Sequence, residues 1–194
     1  MNSHQLNLDI GGQLNRNDQS KKWIVLDLLE GADHRVNLET ESLPFPDAGV
    51  DNIYSSHCLE HLEPCRLRFI FSDFFRVLKK GGKVRIVVPS FKKGVFYYFF
   101  APWMLRQPLM PRLNSNVPDT DMTRLSSWFY TETNKANGVP GHKTAWDFNA
   151  MRSFLREAGF TRVDKKTLAR CSEVFRGKDH PEYSLFSLYV EAVK

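Results

Sequence analysis

Three scarcities narrow what this chain is. Cysteine is rare: Cys58, Cys65 and Cys171 are the only three. An odd, sparse set builds no disulfide framework and suits reduced thiols, so a cytoplasmic setting is expected. Long apolar runs are missing, and no leader-like segment precedes the first strand-like run. Neither a membrane-spanning helix nor a secretory signal is therefore expected. Glycine is scarce where a phosphate-binding loop would need it. Gly11 and Gly12 are followed by Gln13, Leu14, Asn15 and Arg16, so the second and third glycines of the dinucleotide fingerprint Gly-x-Gly-x-x-Gly are absent.

What is present suits one folded α/β unit. The chain has 194 residues, 42% hydrophobic and 25% charged, enough for a proper core in a single domain spanning residues 1–194. The net charge of +5 is unevenly spread. Residues 1–65 carry 11 acidic and 4 basic side chains, whereas residues 66–194 carry 11 acidic and 23 basic. The basic part either faces an anionic partner or is a solvated surface. Its residues are scattered without a nucleic-acid motif, so no nucleic-acid partner is expected.

Hydrophobic periodicity supplies the elements. Residues 5–10 read as a strand ending at Gly11-Gly12, and residues 23–29 as a buried strand with a β-branched pair. Residues 35–38 read as a weaker strand and residues 51–55 as another. Two prolines make residues 43–47 a loop. A short helix is expected over 57–63, stopped by Pro64. A stronger one is expected over 66–78, with Leu67, Ile70, Phe71, Phe74, Phe75 and Leu78 on one face. Lys79 and Lys80 would close it at the negative end of its dipole, with Gly81 as a left-handed cap. Residues 83–88 are the next strand. Asp147 reads as the N-cap of a helix ending at Gly159, with Trp146 and Met151 as its hydrophobic staple. Residues 160–168 and 184–193 read as two final strands.

In such an alternating chain the ligand lies beyond the carboxyl ends of the strands. Three features fall there. Gly11 and Gly12 allow close backbone approach after strand one. Asp27, ending strand two, offers a carboxylate that can accept both hydroxyl protons of a ribose. Leu38 and Glu39, past strand three, could border an adenine. Without pyrophosphate glycines, a phosphate-free nucleoside fits better than a dinucleotide.

The run Leu43-Pro44-Phe45-Pro46-Asp47, then Val50-Asp51-Asn52-Ile53-Tyr54-Ser55-Ser56-His57, then Leu59-Glu60-His61-Leu62, resembles the middle of class I S-adenosylmethionine-dependent methyltransferases of the type 11-like kind. So does Arg76-Val77-Leu78-Lys79-Lys80-Gly81-Gly82-Lys83 with its following strand and Pro89. His142-Lys143-Thr144-Ala145-Trp146-Asp147, Ala158-Gly159-Phe160 and Leu188-Tyr189-Val190-Glu191-Ala192 extend the resemblance to the C-terminus. It implies a Rossmann-like, seven-stranded, mostly parallel sheet whose last strand, 184–193, inserts antiparallel. It implies S-adenosylmethionine as cofactor, with Asp9, Gly11 and Gly12 at its methionine end, Asp27 on the ribose, and Leu38 and Glu39 beside the adenine. Ser55, Ser56 and His57 would flank the sulfonium and the substrate. The glycine motif admits two registers: Asp9 heads an Asp-x-Gly motif, or it replaces the first glycine of a variant.

His57 and His142 are the candidate bases for a hydroxyl acceptor, because an ordinary imidazole titrates near neutrality. The resemblance also points to surface-glycan chemistry, with a small-molecule or glycan acceptor. His57-Cys58-Leu59-Glu60-His61 fits the spacing of an inverted zinc-protease motif. The short helix, Pro64 and the flanking pattern weigh against that motif, and no metal is expected. Residues 90–145 read as an irregular, aromatic-rich insertion after strand five that caps the site. Phe96, Tyr97, Tyr98, Trp103, Trp128, Phe129 and Tyr130 would line an apolar or sugar-stacking wall, and Arg106, Arg112 and Arg124 would meet anionic groups. Residues 91–105 read as a lid helix, as an interfacial patch touching membrane or a lipid-linked substrate, or as a dimer contact. Two functions are compatible with all this: methyl transfer, or a non-catalytic binding or scaffold role that the thin glycine motif would allow.

Overall fold

Alternation of side chains along each strand sorts the sheet into two unlike faces. The computed structural model describes residues 5–12, 23–108, 117–131, 133 and 140–194. Among them, seven strands form one sheet: β1 (Asn7–Ile10), β2 (Trp23–Asp27), β3 (His34–Arg35), β4 (Val50–Ser56), β5 (Leu78–Pro89), β6 (Arg162–Lys166) and β7 (Ser187–Val193). Their order is β3-β2-β1-β4-β5-β7-β6. Strands β1 to β5 pair in parallel, and β7 runs antiparallel between β5 and β6. The expected Rossmann-like architecture is thus present, antiparallel last strand included.

One face is apolar. Leu8, Ile10, Leu26, Ile53, Val84, Ile86, Val88, Val190 and Ala192 are buried there with Ile70, Phe71 and Phe74 of helix α1 (Pro64–Val77). Met151 and Leu155 of a second helix, Phe148–Glu157, join the same core. Each large side chain so buried contributes about 1.5–3 kcal/mol, and this face holds the fold together.

Local chemistry moved several boundaries. Pro64 begins α1 instead of ending a helix before it, because a first-turn position needs no N–H and suits the proline φ. The expected helix over 57–63 reduces to one 3-10 turn, Leu59–His61. Helix α1 ends at Val77, and Leu78 is already extended. Lys79 therefore belongs to β5 and pairs with Asp51 at 2.7 Å. Gly81 does adopt the left-handed conformation (φ 78°), but within β5.

The described parts of residues 90–145 hold more secondary structure than expected. They contain α2 (Phe91–Phe100), a 3-10 turn Pro102–Arg106 and α3 (Asp121–Ser126); the helix at Phe148–Glu157 is α4. The excursion leaves and returns at one place: Ser90 and Trp146 form a β-bridge, and the Phe91 amide donates to the Trp146 carbonyl at 2.8 Å. Leu105, Trp128 and Phe186 form a small core of their own, flanked by Tyr97 and Leu125. Asp147 caps α4 as expected, accepting from the Ala150 amide at 2.8 Å. No described helix is long and apolar enough to cross a membrane. The polar stretch 13–22 lies outside the described residues.

The second face of the sheet is polar at its centre. Asp9, Tyr54, Arg85 and Glu191 are successive cross-strand neighbours on it. The Arg85 side chain is 0% exposed. Its Nη1 donates to Glu191 at 2.8 Å, its Nε and Nη2 donate to Asp179 at 3.0 and 2.5 Å, and Nη2 also donates to the Thr167 carbonyl at 3.1 Å. Burial works against charge on the guanidinium, but Asp179 and Glu191 outweigh it and hold its pKa above the ordinary value. Deleting one member of a buried ionic network leaves the others uncompensated. Arg85→Ala should therefore lower stability by about 3–5 kcal/mol. Urea unfolding checks this: a loss under about 1 kcal/mol would show that the network holds little of the fold.

Candidate functional site

In the strand order β1 is followed by β2 on one side and β4 by β5 on the other, so the order reverses between β1 and β4, where a crevice at the carboxyl ends is expected. Asp9, Gly11, Gly12, Tyr54, Ser56, His57 and Tyr183 line a cleft there. Gly11 turns the chain at φ 71°, and its amide donates to the Leu26 carbonyl at 2.8 Å. A Cβ on Gly11 would lie 2.6 Å from the Cys58 Cβ, and one on Gly12 would lie 3.0 Å from the Asp9 Cγ. Both glycines keep this strand edge open. Burial pushes the Cys58 thiol pKa up, so its sulfur is an inert wall.

His57 sits at the end of β4 with φ 51°, a conformation uncommon outside glycine. Its backbone amide donates to the Val87 carbonyl at 2.8 Å. Its ring is held on all sides: Nδ1 lies 3.1 Å from Glu60 Oε1, Nε2 lies 2.9 Å from Ser187 Oγ, and Tyr183 packs edge-on with centroids 4.5 Å apart. Asp9 is equally engaged. Its Oδ2 accepts from Lys178 Nζ at 2.7 Å, and that ammonium also lies 4.8 Å from the centroid of the Trp23 ring.

The other expected site residues are dispersed. Asp27 stands at the carboxyl end of β2, where its Oδ1 accepts from the Leu29 amide at 2.9 Å. Ser55 is buried on the apolar side of β4. The Leu38 carbonyl accepts from Arg66 at 2.7 Å. The Glu39 carboxylate takes the Glu63 amide and Lys143, each at 3.0 Å. Among the described residues, none of these four lines the cleft, and neither does His142. The His142 Nδ1 donates to the Trp128 carbonyl at 3.1 Å, and its ring packs against His61 with centroids 4.8 Å apart. Burial lowers the His142 pKa, with the nearby Glu60 charge opposing. For Glu60, burial raises the pKa, but His57, His61 and His142 together outweigh it and hold the carboxyl below its ordinary value.

The arginines expected to meet an acceptor are engaged elsewhere. Arg106 pairs with Asp121 at 2.7 Å, and Arg124 is buried against Asp119. Both partners lie at the start of α3, where carboxylates favour the helix dipole. Arg112 lies outside the described residues. Of the expected aromatic wall, Trp128 is core, whereas Phe96, Trp103 and Tyr130 are exposed, together with Phe99 and Phe100. The site also contains residues that sequence reasoning passed over: Tyr54, Lys178, Tyr183 and Ser187. The Gly177-Lys178-Asp179-His180-Pro181 turn was the one visible hint of a loop carrying charge back to the site.

Comparison with known proteins agrees with the fold. A family model described as a methyltransferase domain matches residues 3–86. No curated protein matches the chain by sequence. Among solved structures, the chain is similar to an S-adenosylmethionine-dependent methyltransferase from Archaeoglobus fulgidus (16% identity, TM-score 0.54), covering 98% of this chain and 86% of that one. It is similar to one from Mesorhizobium loti (17% identity, TM-score 0.54), covering 98% and 91%. A third is the 1,6-didemethyltoxoflavin-N1-methyltransferase of Burkholderia thailandensis, solved with 1,6-didemethyltoxoflavin and S-adenosylhomocysteine (17% identity, TM-score 0.55), covering 97% and 70%. The chain shares the fold of these methyltransferases.

Two of the left-handed glycines, Gly11 and Gly81, give a paired test. A Cβ at Gly81 meets nothing within 4 Å, so Gly81→Ala should cost only the conformational term of about 1–2 kcal/mol. Gly11→Ala adds the overlap with Cys58 and should cost about 1–3 kcal/mol more. Thermal unfolding of both variants measures the difference; equal losses would mean that the Gly11 edge yields freely.

Proposed function

We propose that this protein is an S-adenosylmethionine-dependent methyltransferase. The observation that carries the reading is the cleft at the β1/β4 switch point, with Asp9, Gly11 and Gly12 on one wall and Ser56, His57 and Tyr183 on the other. It lies on a sheet in a fold similar to that of methyltransferases of known structure. The matched methyltransferase-domain region, residues 3–86, covers the cofactor side of that cleft.

The residues fit such a cofactor. The two glycines leave the edge of β1 uncovered where a side chain would close it. Asp27 keeps Oδ2 without a partner among the described residues, available to ribose hydroxyls. The cofactor's sulfonium, when bound, supplies an electrophilic methyl carbon. The chain's own task is then to align an acceptor and exclude water. His57, fixed by Glu60, Ser187 and Tyr183, is the side chain placed to meet that acceptor. We assign the acceptor to the small-molecule or glycan class. The exposed rings of Phe96, Phe99, Phe100 and Trp103 on α2 and the turn after it suit stacking against a sugar or contact with a lipid-linked precursor.

Titration calorimetry with S-adenosylmethionine and S-adenosylhomocysteine tests the reading. Saturable binding of both is expected, and no binding at millimolar concentration would remove it. Asp27→Ala should weaken cofactor binding by about 1.5–3 kcal/mol, the range for hydrogen bonds to a charged group. Asp27→Asn should lose less, because its amide keeps one acceptor oxygen. Unchanged affinity in a folded Asp27→Ala variant would take this residue out of the site.

A further inference from the structure

Behind the cleft, the chain gathers a second set of donors. The 3-10 turn Leu59–His61 presents Glu60 and His61 in succession. The Glu60 carbonyl accepts the Lys143 and Thr144 amides at 2.7 and 3.1 Å, which brings the segment carrying His142 alongside. One ligand atom from each of Glu60, His61 and His142 lies within 4.8 Å of the others. We propose that these three residues bind a divalent transition-metal ion of the zinc class.

Unmet polar groups make the case. Glu60 is fully buried, and neither its Oε2 nor His61 Nδ1 has a hydrogen-bond partner among the described residues. No lysine or arginine among them forms an ion pair with this carboxylate; its only such contact is His57, at Oε1. A buried carboxylate left this way is costly, and a cation is what removes the cost.

The surroundings of the ligands fit as well. His142 Nδ1 donates to the Trp128 carbonyl at 3.1 Å, which fixes the tautomer and leaves Nε2 with a lone pair. Metal-bound histidines are oriented by this kind of outer hydrogen bond. His57 Nδ1 lies 3.1 Å from Glu60 Oε1, on the cleft side of the carboxylate. Metal–ligand bonds of about 2.0–2.2 Å would draw the three donor atoms closer together than their present separations of up to 4.8 Å. Two imidazoles and one carboxylate select zinc, cobalt, nickel or iron(II) over magnesium and calcium, which prefer all-oxygen shells. Three protein ligands also leave a position open for water or a ligand oxygen. The ligand pair is not the His57/His61 pair offered by the inverted zinc-protease spacing. His57 turns toward the cleft, and His142 arrives from 80 residues further along. A bound ion would tie the segment 141–144 to the turn after β4 and hold Glu60 against His57.

The inference does not rest on the cofactor reading. It is tested on the untagged full-length protein, stripped with chelator and titrated with Zn²⁺ alone by calorimetry and with Co²⁺ alone by visible absorption. One equivalent should bind, raise the melting temperature, and give ligand-field bands of a four- or five-coordinate nitrogen–oxygen site. His142→Gln and Glu60→Gln should weaken Zn²⁺ binding by at least about 100-fold, because losing an outer partner alone costs 10–100-fold. His34→Gln and His180→Gln should leave it unchanged. If Glu60→Gln does not fold, His142→Gln and the wild-type Co²⁺ spectrum decide. Absence of stoichiometric binding to folded wild-type protein, or unchanged affinity in His142→Gln, overturns the site. A parallel S-adenosylmethionine titration reports on the cofactor reading separately, so either can fail while the other stands.

Discussion

A single buried guanidinium organises the functional side of this molecule. Arg85 sits at the centre of the sheet, with a carboxylate from the neighbouring strand on one side and Asp179 of a long loop on the other. Removing such a charge from water is expensive, so the network stands only with every partner in place. That requirement positions the loop. Asp179 reaches Arg85, the adjacent Lys178 reaches Asp9, and Tyr183 packs on His57. Three residues within six positions of the chain thus tie this loop to the cleft, which Tyr183 lines, and Tyr54 joins them by donating its hydroxyl to Asp179. Here a charged loop with Phe175 covers the sheet face, while on the other face α1 and α4 do so with apolar side chains.

The second constraint is the closed path of residues 90–145. Because Ser90 and Trp146 bridge, the excursion returns to the point it left. Its last residues then run along the turn after β4, where Lys143 and Thr144 bond to the Glu60 carbonyl. Lys143 also spans Glu39 and Glu63 at 3.0 and 2.9 Å, linking the end of the insertion to the segment after β3. The insertion is therefore anchored on the side of the molecule that carries the cleft. Its most exposed rings, Phe99 and Phe100 at 68% and 70%, stand on the helix nearest its beginning.

The sheet was legible in the sequence because its apolar face obeys period two, and α1 because Leu67, Ile70, Phe71 and Phe74 obey the helical period. Boundaries were less legible where one residue type serves two purposes. Pro64 stops a helix in isolation but starts one when the chain arrives extended, and only the tertiary path distinguishes these. The β1 edge of the cleft was readable from Gly11 and Gly12, since their chemistry is local. The opposite wall was not, because Lys178 and Tyr183 reach the site through pairs more than 120 residues apart in sequence. Arg106 and Arg124 looked available for a ligand because nothing in the sequence says that Asp121 and Asp119 will fold back onto them.

The pairing of Asp9 with Lys178 bears on how any cationic ligand would enter this cleft. A free carboxylate at the end of β1 would attract a positive group with its full charge. Here that charge is already met by an ammonium that also rests over the Trp23 and Tyr54 rings, at 4.8 and 5.3 Å. An incoming cation gains only the difference between its own interaction with Asp9 and the one it replaces. Contacts away from Asp9 must then carry more of such a ligand's affinity. Lys178 is fixed in turn by its neighbour's bond to Arg85, so the electrostatics of the cleft and the stability of the sheet share one network. A change at the centre of the sheet would be felt first at the ligand edge.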